Sequence, residues 1–255
     1  MQLFSKDLED YIIIPLDPMD IVPDTQIFAE HRIVHAIQEF CRTTASQILW
    51  VIGKSDRRYP SSTSLIAASV VNALDKGSVP TLYFFLSWPT ADGGTDEQAS
   101  INFLYSLVRQ MICLLPDSIT ALSECSAQAF SRLRGSLESW ETGVAIVEAL
   151  FDYMPPLLFL VVDGFEHLDF LSPGEQQVRS LLQVLYGKVL RSRSITDEEG
   201  EPIRTFKILF TTAGSSDLLN GLDEGVLTIL KTSENQNVRP GQYRAGRSQL
   251  SLDGI

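Results

Sequence analysis

The stretch Gln47–Leu74 constrains this chain more than any other, because its pattern predicts a strand, a loop and a helix in that order. Ile48–Ile52 is a short apolar run that ends at a glycine, which is typical of a buried parallel strand. Ser64–Leu74 carries apolar residues at helical spacing. Strand, loop and helix in this order form the phosphate-binding unit of many nucleotide-binding α/β proteins.

The loop itself departs from the pattern that phosphate binding requires. A P-loop reads Gly-x-x-x-x-Gly-Lys-Ser/Thr, whereas seven residues separate Gly53 from Ser61 here. Aligned on the start of the helix, Ser61 replaces the second glycine, Ser62 replaces the lysine, and Thr63 keeps the hydroxyl that would bind Mg²⁺. Losing one charge-assisted contact costs about 1.5–3 kcal/mol. We therefore expect that ATP with Mg²⁺ is bound weakly, if it is bound at all.

Charged residues follow two of the predicted strands. Lys54, Arg57 and Arg58 stand beside the altered loop, where they form either a residual anion site or a solvated loop. Asp163 follows the apolar run Leu157–Val162 and matches the aspartate that holds Mg²⁺ in nucleotide-binding proteins, although a turn or cap role is as plausible. The candidate nucleotide-contacting residues are Gly53, Lys54, Arg57, Arg58, Ser61, Ser62, Thr63 and Ser64. Thr63 and Asp163 are the candidate Mg²⁺ ligands if nucleotide binds, and no residue is assigned a catalytic role, Asp163 and Glu166 being inherited positions only.

Strand and helix patterns alternate along most of the chain. Further strands are predicted at Pro80–Trp88, Leu157–Val162, Phe206–Phe210 and Val226–Lys231; helices are predicted at Ile27–Thr43, Glu97–Leu115, Ile119–Arg132, Ser139–Tyr153, Gln176–Leu190 and Ser215–Leu222. This order predicts an α/β fold with a mainly parallel sheet flanked by helices on both faces. We expect residues 1–25 to be an irregular lead-in, 26–232 to be one domain, and 233–255 to be a disordered tail.

Composition narrows the class of protein. The net charge of −12 argues against a nucleic-acid binder. Cys41, Cys113 and Cys125 are expected to be buried, reduced thiols. His31 and His35 lie four residues apart, which suits two metal ligands, but with no third ligand near in sequence we expect them to be solvated or at the edge of the core. No signal-peptide or membrane-spanning pattern occurs, which predicts a cytoplasmic protein without membrane contact.

The runs ILWVIG, TLYFFLSW, LLFLVVDGFEHL and KILFTTAG, with the helix FLYSLVRQMI, resemble the NACHT-type STAND P-loop NTPases of filamentous fungi, in the nephrocystin-3-like N-terminal group. The resemblance covers residues 26–232 and implies a P-loop NTPase-like fold. Gly53, Asp163 and Arg109 match the family pattern. Ser62 departs from its lysine and Ala213 from its sensor arginine, and Glu166 with His167 replace its acidic pair.

These departures predict a degenerate domain that acts as a regulatory or scaffold module without ATP hydrolysis. The resemblance further implies protein partners or flanking domains of a larger switch, with oligomerisation as one outcome. Two alternatives remain open: a weak nucleotide binder or slow ATPase that uses the basic residues of the loop, and a truncated fragment without independent activity.

Overall fold

A five-stranded parallel sheet forms the centre of the protein. The computed structural model describes residues 5–12, 27–55, 60–86, 96–116, 119, 123, 125–169, 174–194, 204–223, 225–232 and 247–250. Its strands are β1 (Phe28–Glu30), β2 (Gln47–Gly53), β3 (Thr81–Phe85), β4 (Leu157–Asp163), β5 (Thr205–Ala213), β6 (Leu227–Lys231) and β7 (Arg247–Gln249). Its helices are α1 (His31–Arg42), α2 (Ser62–Lys76), α3 (Asp96–Cys113), α4 (Ala127–Phe130), α5 (Trp140–Phe151), α6 (Glu175–Ser194) and α7 (Asp217–Asn220).

The strands of the central sheet lie in the order β3-β4-β5-β2-β6, and every neighbouring pair is parallel. Parallel neighbours need crossover connections, which the helices provide. The chain thus places β5 between β2, which precedes the altered loop, and β4, which ends at Asp163. Strands β1 and β7 form a separate antiparallel pair. The predicted α/β architecture, with a mainly parallel sheet, is confirmed.

Both faces of the sheet are covered by apolar side chains that alternate along each strand. On β2, Ile48, Trp50 and Ile52 join one buried cluster, whereas Leu49 and Val51 join the other. The first cluster includes residues of α3, α5 and α6, and the second includes residues of α1 and α2. Successive side chains of a strand point to opposite faces, so continuous apolar strands require a helix layer on each side.

Several predicted boundaries were wrong. The pattern that began at Ile27 gives a short strand, β1, before α1 begins at His31, because β7 pairs with this segment. Residues 247–249 lie in the tail that we expected to be disordered, and their backbone groups bond to β1 instead. Within the span predicted as the helix Ile119–Arg132, only α4 is helical among the residues described. Part of the predicted lead-in, Lys6–Tyr11, is a 3-10 helix.

The cysteines and histidines differ in their exposure. Cys41 and Cys125 are buried free thiols, but Cys113 is exposed, because it is the last residue of α3 and faces away from the sheet cluster. Nδ1 of His31 hydrogen-bonds with the Ser248 hydroxyl, which joins α1 to β7. His35 is exposed, with its Nδ1 3.9 Å from a carboxylate oxygen of Glu39. In the part of the chain that the structure describes, no helix is both long and apolar enough to cross a bilayer.

Candidate functional site

The carboxyl ends of β2, β5 and β4 bring the predicted site residues to one edge of the sheet. Gly53 pairs in register with Ala213, and Asp163 pairs with Thr211. Residues paired in register on neighbouring strands direct their side chains to the same face, so the Asp163 and Thr211 side chains lie on the same side of the sheet. Ligands of parallel α/β sheets bind beyond the carboxyl ends of the strands, so this edge is the candidate site.

Helix α2 begins at this edge, and its first turn is closed by its own hydroxyl groups. Ser61 is the N-cap residue, and its Oγ accepts a hydrogen bond of 3.0 Å from the backbone N–H of Ser64. The Ser61 hydroxyl also contacts Thr63 Oγ1 at 2.9 Å and Ser64 Oγ at 2.8 Å. Ser61, Thr63 and Ser64 are all buried. The Ser61 side chain thus occupies one of the backbone N–H groups with which the helix N-terminus would otherwise bind an anion.

Gly53 allows α2 to approach the end of β2 closely. A Cβ atom at this position would lie 2.7 Å from Cγ2 of Thr63 and 3.2 Å from the carbonyl oxygen of Thr212. The Thr63 hydroxyl donates to the same Thr212 carbonyl at 3.3 Å. The glycine therefore serves contact between helix and sheet, and Thr63 links α2 to β5.

Asp163 is a fully buried carboxyl group with one unpartnered oxygen. Its Oδ1 accepts a hydrogen bond of 2.6 Å from the Thr211 hydroxyl, whereas Oδ2 has no hydrogen-bond partner among the described residues. Burial raises the pKa of Asp163 to about 6, although the Ser64 and Thr211 hydroxyls and the Gly164 N–H partly offset the effect. An orphaned oxygen of this kind is a position where a cation or a proton would be stabilised.

A second buried carboxyl group, Glu166, lies on the 3-10 turn Phe165–Leu168 that follows β4. Its Oε1 accepts from the backbone N–H of Ala213 at 2.8 Å, and its Oε2 is buried with no partner in the described chain. Burial is the main reason that the pKa of Glu166 is raised to about 7; the charges of Asp163 and Asp169 act in the same direction, and the hydrogen bond from the Ala213 N–H partly offsets them. His167 Nε2 lies 3.7 Å from Glu166 Oε1, and burial lowers the pKa of that histidine.

These residues fit Mg²⁺ with a bound triphosphate only in part. The unpartnered Asp163 Oδ2 suits a cation. The phosphate side does not fit, because Ser62 offers no positive charge and the Thr63 hydroxyl already bonds to Ser61 and Thr212. As a set, the described residues do not fit a Mg²⁺-triphosphate group.

Of the other residues that the sequence singled out for the site, those that the structure describes do not hydrogen-bond to Asp163. Lys54 directly follows β2 and is exposed, and Ser62 is half-buried in the first turn of α2. Arg57 and Arg58 lie outside the described residues. Arg109 contacts the N-terminal segment: its guanidinium donates to the Ser5 hydroxyl at 2.8 Å and pairs with the Glu9 carboxylate. It ties α3 to the N-terminal 3-10 helix.

Two residues of the site were missed from sequence. The Thr212 hydroxyl accepts from the Trp50 indole N–H at 2.9 Å and donates to the Gly214 carbonyl at 2.7 Å, which holds β2 and β5 together. Asp169 accepts from the Ser216 hydroxyl at 3.0 Å and from the Asp217 N–H at 2.8 Å, so it caps α7. The sequence did contain a signal for Thr212, because two threonines follow the predicted strand Phe206–Phe210 directly.

A cavity of about 260 Å³ lies at the opposite edge of the sheet, where β4 and β5 begin. Two of its basic side chains bond to the backbone of the fold. Arg204 donates to the carbonyls of Phe151 and Asp152, and Lys188 Nζ donates to the carbonyl of Glu148 at 3.1 Å. Because these cations satisfy the C-terminus of α5, the cavity does not compete with the candidate site.

Comparison with solved structures gives distant similarities. The chain is similar to ORC1 of Aeropyrum pernix, solved in complex with DNA, at 13% identity and a TM-score of 0.40, over 86% of this chain and 49% of that one. It is similar to ORC2 of Aeropyrum pernix, solved as ADPNP-ADP complexes, at 13% identity and a TM-score of 0.41, over 86% of this chain and 52% of that one. For Drosophila ORC bound to DNA the identity is 12%, the TM-score 0.34, and the coverage 91% and 32%. The chain thus spans about half, or less, of the length of these chains.

Sequence comparison gives a firmer result. No curated protein matches the chain. Residues 27–210, however, match the family described as Nephrocystin 3, N-terminal, and this span covers well over half of the chain and contains β2, α2 and β4. Together with the strand, loop and helix at the edge of a parallel sheet, the match shows that this chain belongs to the Nephrocystin 3, N-terminal family and has a P-loop NTPase-like fold.

Proposed function

We propose that this protein is a NACHT/STAND-type regulatory or scaffold module that keeps a nucleotide-binding fold but does not hydrolyse ATP. The observation that carries the proposal is the closed first turn of α2. The Ser61 hydroxyl occupies the Ser64 N–H and contacts the Thr63 hydroxyl, and Ser62 stands where a lysine would reach the phosphates. Both the donor groups and the positive charge needed for phosphate binding are thereby reduced.

Charge around the site supports the same proposal. Phosphoryl transfer depends on positive groups that stabilise the charge on the transferred phosphoryl. In the described chain, this edge carries the buried carboxyls of Asp163 and Glu166 and the exposed Lys54, with the exposed Lys231 at the end of the outer strand β6. Ala213 stands where the family places its sensor arginine, and its N–H binds Glu166. This arrangement favours a structural role for this edge of the sheet over a role in phosphoryl transfer.

A module of this kind would act through contacts with other proteins or with flanking domains. The fold offers a rigid sheet whose two faces are covered by helices, so its exposed edges and loops are the surfaces available for binding. We place it in the cytoplasm as part of a fungal signalling switch, in which assembly with partners replaces nucleotide turnover as the output.

A weak nucleotide-binding function is the second candidate, and one observation favours it. The Asp163 Oδ2 atom is buried without a partner, which is the environment that a bound cation would relieve. In this version Lys54 and the loop arginines Arg57 and Arg58 would replace the missing lysine.

Calorimetric titration of Mg-ATP into the intact chain separates the two. We expect no dissociation constant below about 10 μM, which corresponds to about −7 kcal/mol. Phosphate release should not exceed that of Asp163→Asn, an isosteric variant that lacks the carboxylate. Tighter binding that this variant weakens tenfold or more would contradict the scaffold function and establish the nucleotide-binding one. The exposed residue Asp75 on α2 gives the matched control, Asp75→Asn.

A further inference from the structure

Strand β6 lies at one edge of the central sheet and pairs only with β2 among the described residues. The backbone of Val226 accepts from Ile48 N–H, and the N–H of Thr232 donates to Ile52. Alternate residues of a strand direct their N–H and C=O groups to the same side. The even-numbered residues of β6 thus bond to β2, and Leu227, Ile229 and Lys231 direct their backbone groups outward. We call these outward groups the β6 edge.

An independent contact agrees with this orientation. The guanidinium of Arg32, on α1, donates to the carbonyl oxygen of Lys231. A side chain from outside the sheet can reach that oxygen only if it points away from β2. One end of the β6 edge is therefore already partnered, whereas the described chain provides no strand opposite Leu227 and Ile229.

Most side chains of β6 are exposed to solvent. Thr228, Ile229 and Lys231 are exposed, and Ile229 is 39% exposed. Few large apolar side chains in the described chain reach that exposure. On the neighbouring strand β2, by contrast, the apolar side chains are almost fully buried. An exposed apolar side chain next to unpaired backbone groups is the combination that strand addition uses.

The opposite edge of the sheet, formed by β3, is protected. The Gln110 side chain on α3 accepts from the Tyr83 N–H at 2.9 Å and donates to the Tyr83 carbonyl at 2.8 Å. This amide imitates a neighbouring strand at the middle of β3. Among the described residues the two edges thus differ: a side chain blocks β3 at its middle, whereas on the β6 edge only the Lys231 carbonyl at the end of the strand is bonded, to Arg32.

Charge indicates which partner fits the β6 edge. Lys231 is exposed there, and Arg32 lies beside it with 58% of its side chain exposed and an ion pair to Glu30 at 2.8 Å. Two cations and one carboxylate leave this edge positive, although the whole chain carries −12. A second copy would bring the same cations and a net charge of the same sign, which repels. An extended segment with carboxylates would instead be attracted.

We propose that the β6 edge is a docking site for an extended acidic segment of a partner protein, which adds to the sheet as a further strand. The segment's backbone bonds to Leu227 and Ile229, its carboxylates lie near Lys231 and Arg32, and an apolar side chain covers Ile229. This interaction does not involve the loop after β2, so it is independent of whether the protein binds nucleotide.

Fluorescence anisotropy with two labelled peptides tests the proposal on the intact chain. One peptide alternates valine and threonine between terminal glutamates, and the other carries lysines at the same places. We expect the acidic peptide to bind at least tenfold more tightly, with a difference that shrinks as salt is added. Equal binding of the two peptides, or no binding of the acidic one, would overturn the proposal.

Variants of Ile229 test the backbone contact. Its N–H points outward, so Ile229→Pro removes a donor for the partner without removing a bond to β2, and should weaken acidic-peptide binding about tenfold, or ~1.4 kcal/mol. Ile229→Glu leaves the backbone intact and should weaken binding by repulsion, which keeps the test decisive if the proline variant does not fold. Thr228→Ala is the matched control and should bind normally. Unchanged binding in both Ile229 variants, or a concentration-dependent dimer that Ile229→Pro dissociates, contradicts the acidic-segment proposal.

Discussion

Replacing Asp163 with asparagine should stabilise the protein at pH 8, although the change removes a residue at the centre of the candidate site. The carboxyl is fully buried, and burial raises its pKa from the ordinary 3.8 to about 6. The difference corresponds to about 3 kcal/mol, at about 1.4 kcal/mol for each pH unit. Asparagine keeps the acceptor for the Thr211 hydroxyl but leaves part of a buried amide unpaired, which costs about 1 kcal/mol. We therefore expect a net gain of about 2 kcal/mol.

The gain should depend on pH, and its sign follows from proton binding. Between 3.8 and about 6 the native protein binds more protons at Asp163 than the unfolded chain does, so wild-type stability falls as pH rises through this window and stays low above it. Glu166, whose pKa burial raises to about 7, acts in the same direction. At pH 4 both forms of the protein carry a neutral side chain at position 163, and the advantage of asparagine should disappear.

Urea unfolding at pH 4 and pH 8, followed by tryptophan fluorescence, measures this difference. Trp50 and Trp140 are buried and should report the transition. In thermal unfolding at pH 8, the midpoint temperature of Asp163→Asn should exceed that of the wild type by about 4–8 °C, given about 2–4 °C per kcal/mol for a chain of this size. Asp75→Asn should change neither value, since Asp75 is exposed. An Asp163→Asn variant that is less stable than wild type at pH 8, or equally stabilised at both pH values, would refute the reasoning.

Three further substitutions test contacts of the fold. Lys207→Met removes a buried amine that donates to carbonyls at the end of α1. It should lower the free energy of unfolding in urea by about 2–4 kcal/mol near pH 10.5, where the amine is neutral in the native protein, and by less at pH 7, where removing the buried charge offsets the lost bonds. Because burial lowers the pKa of Lys207 from 10.5 to about 8, wild-type stability should also rise between these pH values, and the methionine variant should lack that rise. Gly53→Ala places a Cβ 2.7 Å from Thr63 and should cost about 1–3 kcal/mol, measured by thermal melting; an unchanged melting temperature would show that α2 can move away from β2. Gln110→Leu removes both hydrogen bonds to the Tyr83 backbone and should cost about 1–2 kcal/mol and increase light scattering on heating, whereas a soluble, equally stable variant would contradict the protective role of this amide.

The sequence by itself determined the layers of the fold. Apolar runs such as Leu157–Val162 are too short for membrane spans and too continuously apolar for a half-exposed sheet, so they required parallel strands covered on both faces. The same strands placed Gly53 and Asp163 at one edge, because all their carboxyl ends point the same way. The replacement of a lysine by Ser62 is likewise legible from the sequence alone.

Only the tertiary structure decided how these groups are bonded. Pairing of β1 with β7 joins segments more than two hundred residues apart, and local periodicity carries no information about such a contact. Lys207 interrupts an apolar strand, yet it is buried because the end of α1 lies within reach of its ammonium group. The unpartnered oxygen of Asp163 and the outward backbone of β6 also depend on neighbours distant in sequence. Hydrogen bonds act over about 3 Å, so which groups they satisfy is settled only when the chain has folded.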